Sequence, residues 1–428
     1  MIEIINIGDE LLIGQVVNTN AAWMAEQLNL AGFSVRRITA IADDRAAILT
    51  ALDEAGKRAE VVLVTGGLGP TRDDITKEAL CEFFGTKLVF SQEAFEGVER
   101  LFKARSLRVT EMNRKQAEVP EGCRLVPNRN GTASGMWFEG RRTPDGGRLT
   151  ADVISIPGVP FEMKSMMTDF IVPELRKKFR PGAVIHRTIL TQGIGESFLA
   201  DILEPWETRL PKGIRLAYLP QPGIVRLRLT GTGDDEKSLV AMIDGEVTRL
   251  EALIPDYIFG YEEDTLEELL GKILTEKHAT LATAESCTGG AIAQLITGVP
   301  GSSRYFKGSV VAYSNELKEE LLGVSHESIA AYGAVSEPVA REMAAGAQKR
   351  MKADYVIAVT GISGPDGGTP EKPVGTTWIA IATPGEIVAK RFLFGEHRGR
   401  NIRRAALEGM NMLRKKLINF PPGFGSFK

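Results

Sequence analysis

The alternation of short apolar runs with stretches of helical periodicity constrains this chain most. Residues 2–8 read IEIINIG, a β-rich pattern typical of a strand buried in a parallel sheet. A helical pattern follows in residues 21–32 and ends at Gly32, and strand and helix patterns then alternate as far as residue 167. Strands that alternate with helices predict an α/β fold, here a doubly wound N-terminal domain built on a parallel sheet.

Changes in this pattern divide the 428-residue chain into three parts. From about Ala183, strand-like stretches with short helices predict a small α+β module. A new α/β unit begins near Ala279, with the stretch ATLATAESCTGG. We expect three domains, with boundaries at 1–178, 179–260 and 261–420.

Charge and cysteine content argue against several classes of protein. Lys and Arg total 52 and Asp and Glu total 55, so the net charge of −3 gives no support to a nucleic-acid partner. Cys81, Cys123 and Cys287 are too far apart and too few for a disulfide framework or a CxxC metal site. The N-terminus is typical of a strand and not of a signal peptide, and no apolar run approaches the ~18 residues of a membrane helix. We therefore expect a cytoplasmic protein without a membrane partner.

The first glycine turn, VTGGLGP, occupies residues 64–70 and follows a buried strand pattern. Its glycines Gly66, Gly67 and Gly69 would let backbone N–H groups approach an anion at the start of the next helix. The turn is not a dinucleotide fingerprint, because Arg72 stands in the third glycine position, and no Walker lysine follows. A tight strand–helix connection without a ligand explains the turn equally well.

Polar residues follow several strands of the N-terminal domain. In a doubly wound sheet the loops at the carboxyl ends of the strands meet in one crevice. Glycines together with acids in such a crevice suit a phosphorylated ligand with a divalent cation. Each acid alone is explained by the preference of acids for a helix N-terminus. The candidate residues are Asp9, Glu10, Asn18, Asp73, Asp74 and Asn128.

The C-terminal unit is denser in reactive side chains. A second glycine turn, VTGISGP at residues 359–365, contains Thr360 and Gly361. An arginine cluster near residues 398–404, combined with glycine turns, indicates a pocket for a phosphate monoester. Beyond their seven aligned positions the two glycine turns share no sustained identity, so we expect two separate sites and not a duplicated domain.

Three residues compete as the nucleophile of this unit. Cys287 would gain thiolate character at a helix N-terminus, but no histidine lies near it in sequence. Ser286 shares the same turn, and Ser303 lies in a Gly-Ser-Ser turn whose N–H groups could bind an oxyanion. A serine needs a base, and with four histidines in the chain a lysine is the expected substitute. Such a lysine requires burial or nearby cations to lower its pKa.

The stretches GDELLIGQVVNTN, TGGLGPTRDD, PGVPFEM, TAESCTGG, GSSRYFKGSVVAYSNELK and VTGISGPDGGTPEKPVGTTW together resemble the CinA family. The resemblance implies an N-terminal domain similar to molybdopterin-binding domains, which cleaves ADP-ribose to AMP and ribose 5-phosphate with a divalent metal, Mg²⁺ or Co²⁺. It implies a KH-type middle domain. The turn at residues 193–196 of this module lacks the basic surroundings that RNA binding requires, so we expect a spacer or dimer element in a homodimer. The resemblance also implies a C-terminal amidase that converts nicotinamide mononucleotide to nicotinic acid mononucleotide and ammonia without a metal.

The same resemblance implies roles for individual residues. In the amidase it implies Ser303 as nucleophile, Lys318 as base and Tyr313 as an assisting group. Substrate contacts there would come from Ser286, Thr288, Gly289, Thr360, Gly361 and Arg400. In the N-terminal domain the ligand would contact Asn18, Gly66, Gly67, Gly69, Thr71 and Asn128, and a metal would be held by Asp9, Glu10, Asp73 and Asp74.

Two alternatives from other functional classes remain. The N-terminal domain could carry a pterin without cleaving a pyrophosphate. The whole chain could act as a competence or DNA-damage factor through contacts with protein or DNA, although its acidic net charge argues against DNA.

Overall fold

The computed structural model describes residues 1–71, 74–104, 108–140 and 151–418. The chain forms two compact units. The first comprises Met1–Ile185 and Thr232–Leu239, and the second comprises His186–Gly231 and the chain from Val240 onward.

The first unit is built on a six-stranded sheet with the order β2-β1-β3-β8-β7-β6. Strands β2, β1, β3 and β8 are parallel to one another. Strand β7 pairs antiparallel with β8, and the edge strand β6 pairs antiparallel with β7. The strands of the whole unit, within and outside this sheet, are β1 Ile2–Ile7, β2 Val35–Ile41, β3 Val61–Thr65, β4 Leu88–Phe90, β5 Glu118–Pro120, β6 Arg124–Val126, β7 Gly135–Phe138 and β8 Asp152–Ile156. Its helices are α1 Asp9–Leu12, α2 Thr19–Leu30, α3 Arg45–Arg58, α4 Thr76–Phe84, α5 Gln92–Ala104, α6 Glu111–Lys115, α7 Pro160–Met166 and α8 Val172–Phe179.

Two apolar clusters hold this unit together, one on each face of the sheet. Ile4, Leu63 and Ile154 point to the face covered by α2, α7 and α8, and Ile5 and Val64 point to the opposite face. The side chains of successive strand residues alternate between faces, so both faces of a parallel sheet must be apolar and covered. The uninterrupted burial of β1 and β3 agrees with this requirement.

The second unit contains a four-stranded sheet with the order β10-β11-β9-β12 and a five-stranded sheet with the order β14-β13-β15-β16-β17. In the larger sheet β14, β13 and β15 are parallel to one another, and β16 pairs antiparallel with both β15 and β17. The strands are β9 Ala183–Gln192, β10 Ile214–Gln221, β11 Ile224–Gly233, β12 Ile258–Tyr261, β13 Leu281–Glu285, β14 Phe306–Val311, β15 Tyr355–Gly361, β16 Thr376–Ala382 and β17 Ile387–Leu393. The helices are α9 Glu196–Glu207, α10 Glu236–Leu253, α11 Leu266–Glu276, α12 Ala291–Gly298, α13 Asn315–Leu322, α14 His326–Tyr332, α15 Glu337–Met351 and α16 Arg398–Leu417.

The small middle sheet shares a hydrophobic core with the C-terminal α/β layer. Leu190 of β9 and Phe259 of β12 belong to the same buried cluster as Leu270 of α11 and Met410 of α16. The predicted α/β class and the α+β middle module are therefore confirmed, and the middle module is packed against the C-terminal layer through this shared cluster. Across the described part of the chain, no helix is both long and apolar enough to span a bilayer.

Candidate functional sites

A cavity of about 180 Å³ lies at the carboxyl ends of the parallel strands in the five-stranded sheet. Turns that follow β13 and β15 form part of its wall, and the start of α13 forms another part. Among the residues predicted from the sequence, Ser286, Tyr313, Lys318, Thr360 and Gly361 line this cavity. We call it the C-terminal pocket.

Lys318 lies in the first turn of α13 and is only 2% exposed, although it is a lysine. Its Nζ donates to the carbonyl oxygens of Tyr313 at 3.1 Å and Ser314 at 3.4 Å. Burial lowers the pKa of this amine, and the nearby Cys287 and Glu316 oppose that shift only in part. A neutral amine can donate both of its hydrogens to these carbonyls and keep its lone pair for a proton from the pocket.

Ser286 follows the last residue of β13 and shares the pocket with Lys318. Its own N–H donates to Val359 of the neighbouring strand, which ties this turn to β15. The next two N–H groups, of Cys287 and Thr288, have no acceptor among the residues that the structure describes. Of these two residues Cys287 lines the pocket with Ser286, whereas Thr288 is buried and does not line it, so the N–H group of Cys287 is the backbone donor nearest to a ligand in the pocket.

Cys287 does not have the environment expected of a nucleophile at a helix N-terminus. Burial raises the pKa of its thiol to about 11. The hydroxyl of Ser363 donates to its carbonyl oxygen at 3.4 Å, and its Sγ lies close to Gly361. At neutral pH the side chain is a protonated thiol with little nucleophilic character, which agrees with the alternative that Cys287 is a buried, inert thiol.

Arg398, and not the predicted Arg400, lines the C-terminal pocket. Its guanidinium donates to the carbonyl oxygen of Gly364 at 2.8 Å and to the hydroxyl of Tyr313 at 3.2 Å. Arg400 lies in the first turn of the same helix, where its N–H donates to the ring of His397, and its side chain is exposed. The pocket therefore has an arginine at its rim, two residues before the expected one.

Ser303 lies at the other end of the sheet from Lys318. It belongs to a short 3₁₀ turn, Ser302–Arg304, that precedes β14, whereas Tyr313 and Lys318 follow β14. Tyr305 accepts a hydrogen bond from Leu281, the first residue of β13, which confirms that this turn lies at the amino ends of the strands. The six residues of β14 span roughly 20 Å. The structure therefore does not bring Ser303 together with Lys318 within one chain.

The remaining predicted residues of this unit support the pocket wall or lie behind it. Thr360 donates to the carbonyl of Ala334 at 2.8 Å and so holds the chain segment opposite Ser286. At Gly361 a Cβ atom would lie 2.8 Å from the hydroxyl of Thr377, so this position accepts only glycine without movement. Thr288 is buried, and its hydroxyl has no partner among the described residues; Gly289 donates its N–H to Ser286.

A larger cavity, of about 390 Å³, lies at the carboxyl ends of the parallel strands in the first unit. We call it the N-terminal pocket. The predicted residues Glu10, Gly66, Gly67, Gly69 and Asp74 line it. Gly66 and Gly67 have φ values of 115° and 63°, and a Cβ atom would lie 2.2 Å from Ile7 O and 2.2 Å from Thr76 Oγ1 respectively. Only glycine fits at either position.

The carboxylate of Asp74 turns back onto the glycine loop of the N-terminal pocket. It accepts hydrogen bonds from the N–H of Gly69 at 2.7 Å, the N–H of Thr71 at 2.9 Å and the hydroxyl of Thr71. These are donors that we expected an anionic ligand to use. Asp74 thus serves as the anion of this loop in the structure.

Other predicted residues of this unit have structural roles. Asn18 caps α2 by accepting from the N–H of Ala21, and it does not line the pocket. Asn128 accepts from the N–H groups of Asn130 and Gly131 and donates to Glu162, which does line the pocket. Asp9 exchanges hydrogen bonds with Asp43 at the start of α1. Asp73 lies outside the described residues.

The predicted metal ligands of the N-terminal pocket are only partly described, because Asp73 lies outside the described residues. In the described ranges no three His, Cys, Asp or Glu side chains are close enough together to hold a metal ion. The predicted set Asp9, Glu10 and Asp74 is therefore not assembled as one set of ligands, and the Asp74 carboxylate is already engaged by the loop.

Several pocket residues were missed by the sequence analysis. In the C-terminal pocket they are Asn315 and Ser363, together with Arg398, which the arginine cluster contained. In the N-terminal pocket they are Asp43, Gln116, Thr132 and Glu162. Asp43 lies two residues after the end of β2, so the rule that ligands meet the carboxyl ends of strands could have identified it.

Comparisons with known proteins follow the same division of the chain. Residues 3–177 match the model of a probable molybdopterin binding domain, residues 186–260 match the damage-inducible protein CinA KH domain, and residues 263–417 match the CinA C-terminal domain.

Curated relatives match along almost the whole chain. A CinA-like protein of Flavobacterium psychrophilum is 46% identical over 417 residues, which cover 97% of this chain and 98% of the relative. A CinA-like protein of Cytophaga hutchinsonii is 44% identical over 415 residues, which cover 97% of each. Among solved structures, a competence-damaged protein (CinA) superfamily protein of Klebsiella pneumoniae is 32% identical. The match covers 37% of this chain and 100% of the Klebsiella pneumoniae chain, with a TM-score of 0.35.

Proposed function

This chain belongs to the CinA family, and on that premise we propose that its C-terminal pocket hydrolyses the carboxamide of nicotinamide mononucleotide. The observation that carries the proposal is the buried amine of Lys318, which shares a cavity with the hydroxyl of Ser286 and makes no ion pair within the described ranges. A lysine in this environment is suited to accept a proton near neutral pH.

The nucleophile in this proposal is Ser286 and not Ser303. Ser286 lines the pocket with Lys318, whereas Ser303 lies before β14, at the amino ends of the strands. Cys287 is the less suitable neighbour, since burial raises the pKa of its thiol to about 11. Serine with a lysine base is a recognised pairing for acyl transfer.

The reaction proceeds in two balanced steps. Neutral Lys318 takes the Ser286 proton as Oγ attacks the carboxamide carbon, and the N–H group of Cys287 binds the oxyanion. Lys318 then protonates the departing nitrogen, which leaves as ammonia, and the carbonyl remains on the serine as an ester. Water cleaves that ester by the same route, so one water is consumed and one carboxylate is formed.

Arg398 supplies the positive charge for the 5′-phosphate of the nucleotide. It lines the pocket, and its bonds to Gly364 and Tyr313 hold the guanidinium at the rim. An arginine presents two parallel donors to a phosphate, and such a clamp also orients the ring at the other end of the substrate. The exposed hydroxyl of Tyr313 lies beside this clamp.

An assay of the full chain with nicotinamide mononucleotide tests this proposal. We expect ammonia and nicotinic acid mononucleotide to form in equal amounts, and nicotinamide riboside, which lacks the phosphate, to react more slowly. Release of free nicotinamide in place of ammonia, or no reaction at all, would refute the amidase function.

We further propose that the N-terminal pocket binds ADP-ribose and cleaves its pyrophosphate. A cavity about twice the volume of the C-terminal pocket, lined by the glycine loop, supports a larger, doubly phosphorylated ligand, which would have to displace the Asp74 carboxylate to reach the N–H groups of Gly69 and Thr71. The described acids alone do not fit a metal site, so the dependence on Mg²⁺ or Co²⁺ stays a prediction from the sequence. Formation of AMP in the presence of either metal, and its loss with a chelator, would support the proposal.

The match to a probable molybdopterin binding domain favours a second candidate for this pocket, namely pterin binding without cleavage. Saturable binding of a pterin, combined with no AMP formation from ADP-ribose under any metal, would select that candidate.

A further inference from the structure

The carboxylate of Glu285 is fully buried at the end of β13, immediately before Ser286, and makes no ion pair among the described residues. Isolated buried carboxylates are costly, so such a group requires several hydrogen-bond donors. Glu285 finds them at the N-terminus of α12 and not on a cation.

The N-terminus of α12 has no side chain of its own to cap it, because the N-cap residue is Gly290. The first N–H groups of a helix need acceptors from outside the helix. Glu285 provides them: its two oxygens accept from the N–H of Gly290 at 3.0 Å, Ile292 at 3.1 Å and Ala293 at 2.9 Å. A negative charge at this position is also favoured by the helix dipole.

This arrangement closes the turn that carries Ser286. The strand end and the helix start are joined through one side chain, and the chain between them, residues 286–289, is held at both ends. The N–H of Gly289 donates to the carbonyl of Ser286, and the N–H groups of Cys287 and Thr288 have no acceptor in the described ranges. A consequence is that the helix N-terminus is already occupied by an anion and is not a phosphate site.

We propose that Glu285 is a positioning residue of the amidase: its carboxylate ties the Ser286 turn to α12 and so holds the Ser286 hydroxyl and the N–H group of Cys287 in place at the pocket. The proposal rests on the amidase function proposed above. Glu285 itself does not touch the substrate, because the side chain lies beneath the turn and does not line the pocket.

The test compares Glu285→Gln with wild type in the full chain. Glutamine keeps the size of the side chain but has one acceptor oxygen, and its NH₂ group faces N–H donors. We expect kcat for nicotinamide mononucleotide to fall about 10- to 100-fold, since misplacement of a reacting group by about 1 Å has an effect of that order. KM should stay within about threefold, because phosphate binding at Arg398 is untouched.

Thr283→Val is the matched control. The Thr283 hydroxyl donates to the same carboxylate at 3.3 Å but does not hold the turn, so kcat should stay near the wild-type value. Glu285→Asp, which keeps the charge on a shorter side chain, should recover part of the kcat lost in Glu285→Gln.

Amide hydrogen exchange gives a readout that does not depend on activity. In Glu285→Gln we expect faster exchange at Gly290, Ile292 and Ala293, with β16 unchanged. Unchanged exchange at these three amides, an unchanged kcat, or faster exchange throughout the sheet would overturn the proposal. If wild type releases no ammonia, the amidase function fails, while the exchange data still report on the link between Glu285 and the turn.

Discussion

Arg398 donates a hydrogen bond to the hydroxyl of Tyr313 over 3.2 Å, and both side chains line the C-terminal pocket. Tyr313 is 61% exposed, so this contact lies at the rim and not in the floor, where Lys318 lies. The pocket thus has a cationic, polar rim above a buried amine. A substrate with a phosphate at one end and an amide at the other matches that polarity.

Arg398→Ala should therefore weaken nicotinamide mononucleotide binding. Loss of a charged hydrogen bond is worth about 1.5–3 kcal/mol, so KM should rise roughly 10- to 150-fold with a smaller change in kcat. Steady-state kinetics with the nucleotide and with nicotinamide riboside would measure this, and the riboside should be insensitive to the substitution. Arg400→Ala is the matched control; a larger effect from it than from Arg398→Ala would contradict the assignment.

Ser286→Ala should lower kcat by at least about 1,000-fold, because the nucleophile is lost. Ser303→Ala should retain most of the activity, since Ser303 lies at the amino ends of the strands and the pocket lies at their carboxyl ends. Cys287→Ala should also remain active, because a thiol with a pKa of about 11 is not the attacking group. Single-turnover ammonia release from the three variants measures this. An inactive Ser303→Ala beside an active Ser286→Ala would reverse the assignment.

The activity should rise with pH through the lowered pKa of Lys318. The neutral amine is the base, and burial favours that form, so the midpoint of kcat against pH should lie below the value of about 10.4 for a free lysine. A kcat that falls as the pH rises through neutrality would show that a protonated Lys318 is needed.

Stability should follow the same titration. Between the lowered pKa of folded Lys318 and its ordinary value, the unfolded chain binds the extra proton, so the free energy of unfolding increases with pH. Lys318→Met should remove this dependence and raise Tm at neutral pH, because a buried amine is replaced by a thioether. Thermal unfolding of both proteins at several pH values measures it; a lower Tm for Lys318→Met at neutral pH would contradict the account.

Gly361→Ala should destabilise the second unit. The new Cβ atom would lie 2.8 Å from Thr377 Oγ1, 2.9 Å from the Thr376 carbonyl and 3.0 Å from Cys287 Sγ. Overpacking of this kind costs typically 1–3 kcal/mol. Gly385→Ala, with nothing within 4 Å of its Cβ position, is the control and should be close to neutral in denaturant unfolding. Equal stability of the two variants would argue against close packing at Gly361.

The sheet and its glycine turns could be predicted because their signals are local. Short β-rich runs that are mostly apolar, such as β1 and β3, indicate buried parallel strands, and glycines after them indicate turns with left-handed backbone, as at Gly66 and Gly67. The antiparallel direction of β16 has no such local signal, since it is set by pairing with β15.

The details of the sites depended on information that lies outside short motifs. Ser303 precedes β14 and Lys318 follows it, so the two residues of this motif lie at opposite ends of the same strand. Asp74 and Glu285 each occupy N–H donors that a glycine turn offers. Local sequence does not indicate whether an internal carboxylate or a ligand accepts hydrogen bonds from those N–H groups, because this depends on the orientation of side chains in the folded chain.

The most direct test of the account is ammonia release from nicotinamide mononucleotide by the wild-type chain and by Lys318→Met, side by side at neutral pH. The account predicts steady release by wild type and a rate about 100- to 10,000-fold lower in the variant, the usual contribution of a general base. Equal rates from the two proteins would contradict the claim that a buried lysine activates the nucleophile.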